Sequence, residues 1–163
     1  MTVGGKVGIE GLINHLKNWV REEIVLQNEL LAALDEQSQS IRGRGSERLE
    51  TATEAVDVKS KRARDNEVRR ANLFTRLAKQ WDVAPRSLTF PSIALRAEAH
   101  GEALAELSTE LRSVVQAVQT KARLVQSELR MHQRITVEVL GALLGQGEDG
   151  AVTTRGALLN AEA

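Results

Sequence analysis

The chain has 163 residues, 22 basic and 22 acidic side chains and no net formal charge, so no global field draws it toward nucleic acid or an anionic membrane. It has no cysteine, which excludes disulfides, thiolate metal sites and thiol catalysis. No apolar run reaches the roughly 20 residues of a membrane-spanning helix, and the opening MTVGGKVGIEG lacks the apolar core and processing site of an export signal, so a cytoplasmic location is expected.

With two Trp, two Phe, no Tyr and two Pro, the composition predicts long helices with aliphatic seams. Residues 1–8 are glycine-rich and read as a flexible N-terminus. From Ile9 the chain turns periodic: Leu12, Leu16, Trp19, Glu23, Leu26, Leu30 and Ala33 recur at alternating spacings of four and three, the stripe of a bundle helix. It fades near Ile41, where Gly43 and Gly45 offer a C-cap and a connection and Ser46 an N-cap. A second helix fits residues 47–80, with Leu49, Ala52, Val56, Lys59, Ala63, Asn66, Arg70, Leu73 and Leu77 on its seam. Lys59, Asn66 and Arg70 there imply that the helix rotates against its partners or is only partly buried in its middle.

WDVAPRSLTFPSIALRAEAH interrupts the pattern. Pro85 pushes Ala84 out of the helical region, which stops the second helix near Trp81. Thr89 caps a short helix entered through Phe90 and Pro91, and Trp81, Val83, Leu88, Phe90, Ile93 and Leu95 form an apolar plug for one end of the bundle. The last long helix covers residues 99–144, with Leu104, Leu107, Leu111, Val114, Val118, Ala122, Val125, Leu129, His132, Ile135, Val139 and Leu143 on its seam. Gly141, Gly145, Gly147 and Gly150 are expected to unwind it. The predicted fold is all-α: an elongated antiparallel bundle of three long helices, a short mid-chain helix between the second and third, and a flexible C-terminal tail. Residues 9–144 form the single domain and 145–163 the tail, in which Leu158 and Leu159 read as a hydrophobic anchor that folds back over a groove or engages a partner.

No pattern of catalysis stands out. Glu22 with Glu23, and Glu106 with Glu110, read as solvated helix surface rather than a general acid and base. His15, His100 and His132 are too scattered for a metal set, and His132 reads as a hydrogen-bonded bundle histidine. No Glu-x-x-His and no G-x-x-x-x-G-K occurs. The chain is therefore expected to be no enzyme and to need no cofactor or metal. KSKRARDNEVRR, residues 59–70, carries six basic and two acidic side chains; it reads as a solvated face, since no aromatic residues accompany it for stacking on nucleic acid. What remains is surface: a three-helix bundle leaves room for an amphipathic helix of a partner.

Three stretches resemble the flagellar export chaperones of the FlgN type: the helix LQNELLAALDEQSQSI, the break WDVAPRSLTFPSIALRA with its Thr-started short helix, and the ending VEVLGALLG followed by QGEDG. The resemblance covers most of residues 12–150. It implies a small helical cytoplasmic chaperone that holds hook-associated proteins for the flagellar type III export machinery. It also implies that clients are held by Leu129, Ile135, Val139, Leu140, Leu143 and Leu144. Many members carry a tyrosine just before the tail glycine, linked to docking on the export gate; Gln146 stands there in this chain, leaving Leu158 and Leu159 as substitutes. A structural helical scaffold that self-associates through its third helix is the alternative.

Overall fold

The computed structural model describes the backbone of residues 3–43 and 45–159 and the side chains of residues 8–43 and 45–145. Among the described residues the fold is all-α. Helix α1 (Val3–Arg42) and helix α2 (Ser46–Gln80) are joined at Gly43–Gly45, a 3₁₀ turn at Pro85–Ser87 leads to the short α3 (Phe90–Arg96), and a second at Glu98–His100 leads to α4 (Gly101–Leu159). The chain divides into two compact units, Met1–Arg123 and Leu124–Ala163.

In the first unit α1 and α2 form an antiparallel hairpin whose direction is written in its ion pairs. Glu22 meets Arg69, Glu29 meets Lys59 and Arg62, and Glu36 meets Arg48. The N-terminal part of α4 runs parallel to α1, because Lys17 bonds His100 while Asp35 pairs with Lys121 at 2.6 Å. This is the up-down-up arrangement that short connections favour.

The seam residues of α1 behave as their spacing predicts. Leu12, Leu16, Trp19, Ile13 and Val20 are buried with Phe74, Leu77, Ala78, Leu88, Ile93, Ala97, Leu104 and Leu111 in one apolar core at the end where α3 sits. Phe90 lies 6.1 Å from Trp19 in a stacked arrangement and 5.5 Å from Phe74 edge-on. Leu95 is the exception to the expected plug: it is exposed, since Ile93 and Ala97 take the inward face of α3 and its turn.

The ends of the elements follow local chemistry. Thr89 caps α3 through a reciprocal capping box with Ser92, and Pro91 occupies the first turn, where it forfeits no helical bond. Helix α2 ends at Trp81, with Asp82 in the left-handed region (φ 49°) and the Val83 amide donating to the Ala78 carbonyl at 3.0 Å, a Schellman-type closure. Ser46 is not the cap expected of it: Gly45 holds the extended cap position, with no side-chain bond, and Ser46 is already helical. Gly101 has a different constraint. A Cβ there would sit 2.4 Å from the Ala94 carbonyl oxygen, so the reversal from α3 into α4 needs a residue without one. Gly141 and Gly145, expected to unwind the last helix, lie inside α4, each at a cost of about 1 kcal/mol relative to alanine.

Candidate partner-binding site

The polar middle of the α1–α2 hairpin and the part of α4 beyond Leu129 both hold side chains not absorbed by the apolar core.

In the hairpin, the three polar residues on the α2 seam each find a partner. Asn66 is buried; its amide donates to Glu23 Oε2 at 2.5 Å, and its backbone carbonyl accepts from Trp19 Nε1 at 2.7 Å. Gln27 Nε2 donates to the other oxygen of Glu23 at 2.6 Å, so this buried carboxylate has a donor on each oxygen, as buried polar groups require. Lys59 reaches Glu29 at 2.5 Å, with Arg62 at 3.1 Å on the same oxygen. The hydrogen bond from Lys59 holds the Glu29 carboxyl below its ordinary range, against the opposing effect of desolvation. Arg70 hydrogen-bonds Glu67, which raises its already high pKa, and its guanidinium lies 4.7 Å from the centre of the Phe74 ring.

The basic run 59–70 thus spends Lys59, Arg62, Arg69 and Arg70 on pairing within the hairpin. Two grooves border this band: one of about 600 Å³ over Val25 and Leu26, rimmed by Arg21, Arg62 and Arg69, and one of about 430 Å³ over Trp19, Phe90, Leu111 and Val115. Among the described residues no group of three or more His, Cys, Asp or Glu could hold a metal ion, and no helix is long and apolar enough to cross a membrane.

On α4 the sequence pattern and the structure part company. Leu104, Leu111 and Val118 are buried and Leu107, Val114 and Leu129 half-buried, but every residue from Arg130 to Gly145 is exposed. Of the side chains expected to hold a partner, Ile135, Val139, Leu140, Leu143 and Leu144 are 52–74% exposed. His132 is exposed with them, which corrects its reading as a bundle histidine: it keeps the seam's register, but no described side chain covers that turn. Leu158 and Leu159, and Gln146, lie outside the residues whose side chains are described.

The structure adds Met131 and Val137 to this surface, 64% and 69% exposed. Met131 stands one turn before Ile135, a spacing that could have found it; Val137 lies off the seam through Ile135 and Val139 but shares a stripe with Leu140 and Leu144 at i, i+3 and i+7. The segment 131–144 therefore presents seven large apolar side chains to solvent, where single exposed apolar residues are ordinary and a contiguous set is not. His132, Arg134 and Glu138 stand among these side chains, all of them exposed. The chemistry of this surface is burial of apolar area against another helix.

Neither a curated protein nor a solved structure matches the chain. The family described as FlgN protein matches residues 1–157. That match takes in the hairpin, the proline-containing break and the exposed segment of α4 alike: the chain belongs to the FlgN family.

Proposed function

We propose that this FlgN family member is a cytoplasmic chaperone of flagellar type III export. It binds hook-associated proteins, those of the hook-filament junction, through their terminal helices, keeps them from assembling early and presents them to the export machinery. The observation that carries this reading is the exposed apolar segment of α4, in a chain whose family membership points to flagellar export. Terminal helices built to pack against other helices in an assembled filament are apolar on one face, and the same face can be satisfied beforehand by Ile135, Val139, Leu140, Leu143 and Leu144. Burying about 600 Å² of apolar surface contributes on the order of 15 kcal/mol gross. Association and ordering costs consume much of that, which leaves micromolar to nanomolar affinity. The mechanism is shielding and needs neither nucleotide nor metal.

The same surface favours a second reading, a scaffold that self-associates. Purifying the full chain with and without a hook-associated protein, and measuring mass by light scattering, separates the two. A monomer that forms a defined complex with the client supports the chaperone. A stable oligomer that ignores the client supports the scaffold.

A further inference from the structure

Trp19 and Glu23 stand one turn apart on the seam of α1, and both are buried. Their polar atoms make opposite demands on whatever faces them, because an indole N–H only donates and a carboxylate only accepts. One residue of α2 meets both. The backbone carbonyl of Asn66 accepts from Trp19 Nε1 at 2.7 Å, and its side-chain amide donates to Glu23 Oε2 at 2.5 Å. Gln27, on α1 itself, covers the other carboxyl oxygen.

Apolar matching does not single out α2 at this level. Between Ala52 and Phe74 the one buried residue of α2 is Asn66, while its larger side chains Val58 and Val68 are 53% and 62% exposed. A helix with more leucine would bury more apolar area against Leu16 and Leu30 of α1. Every copy of the chain carries such a helix, the exposed stretch of α4 with Ile135, Val139 and Leu143. Set against the α1 of another copy, these side chains would leave Glu23 with one donor instead of two and the indole N–H with no acceptor. A buried polar group without its partner costs more than a hydrogen bond gains. A second α1 in that place would bring only another acceptor, its own Glu23.

We infer that Glu23, with Trp19 and Asn66, selects the neighbour of α1. The layer admits α2, which the Gly43–Gly45 connection brings alongside, and rejects the apolar helices of other copies, at a cost in stability. A single buried polar residue on an apolar seam has this effect in coiled coils, where it fixes register and oligomeric state. The role is separate from any partner of α4.

Four variants of the full chain test it: Glu23→Leu, Asn66→Leu, the two together, and Glu23→Gln. Urea unfolding gives the midpoint of each, and light scattering over a range of concentrations gives the mass. Each single leucine should lower the midpoint, since it leaves a buried partner unpaired. The double variant should regain the parent midpoint or exceed it, yet show a mass that rises with concentration above the 17.9 kDa of one chain. Glu23→Gln still offers an acceptor to Asn66 and a donor to a reoriented Gln27, and should keep the mass of the parent. A double variant with the parent's mass at every concentration overturns the inference. So does a double variant whose midpoint falls by the sum of the two singles, or one that loses its helix content, because the layer is then a stabilising contact and selects nothing. A Glu23→Gln chain that also gains mass removes hydrogen bonding as the basis of selection and overturns it as well.

Discussion

Leu104–Val118 and Ile135–Leu144 lie on the same helix and carry the same kind of sequence, yet the first has its seam buried or half-buried and the second stands in solvent. The difference comes from what surrounds them. Around Leu104 and Leu111, α1, α2 and α3 contribute Leu16, Leu77 and Ile93 to a common core, while no described side chain buries positions 130–145. Periodicity thus marks an apolar face, and only the neighbours decide whether that face is buried.

That comparison can be broken most forcefully by truncating one leucine from each region. Leu104 is fully buried, so Leu104→Ala should cost about 2–5 kcal/mol in urea unfolding. Leu143 is 63% exposed, and Leu143→Ala should stay within about 0.5 kcal/mol. Equal losses would show that the outer segment is part of the folded core.

The glycines of α4 sharpen the contrast next. Gly101→Ala forces a methyl against the Ala94 carbonyl and should destabilise by about 1–3 kcal/mol. Gly141→Ala meets nothing within 4 Å and should raise helix content or stability by up to about 1 kcal/mol. Thermal melts followed at 222 nm read both.

A smaller effect is expected at the α3 cap. Thr89→Ala removes one half of the capping box and should lower the melting midpoint by the equivalent of about 0.5–2 kcal/mol. Thr89→Ser should restore most of it.

The smallest is a pH dependence. Because the folded state holds the Glu29 carboxyl below its ordinary value of 4.5, the contact with Lys59 stabilises the hairpin above that pH and is lost as pH falls through the lowered folded value. Comparing the pH-stability profile of Glu29→Gln with the parent should show a shallower acid limb in the variant, and an identical limb would remove Glu29 from the account.

Much of this fold was legible because its causes are local. The Thr89 cap, the stop at Trp81 before Pro85 and the seams of α1 and α2 follow from spacing and backbone chemistry within a few residues. The polar interruptions of the α2 seam were visible as anomalies, but their resolution depends on Glu23 and Glu29, contributed by α1 across the hairpin. Leu95 and His132 misled because hydropathy and register say which side a residue takes and not whether anything lies there. The candidate site shows the same division. Ile135, Val139, Leu140, Leu143 and Leu144 could be named from the pattern and the family resemblance, and Met131 and Val137 stand at helical spacings that could have added them; their exposure required the structure. Cap choice at Gly45 over Ser46 shifts a boundary by one residue, within the fraying expected of helix ends.

The most direct measurement pairs capture with stability in one variant. Leu140→Gln together with Leu143→Gln keeps helix-forming residues in place while removing apolar surface. Titration of a hook-associated protein should show binding weakened by at least about 3 kcal/mol, roughly a hundredfold or more in Kd, with the urea midpoint of the free chain unchanged. Binding unaltered in the variant, or lost only in step with a fallen midpoint, would contradict the claim that this exposed face of α4 is where the partner is held.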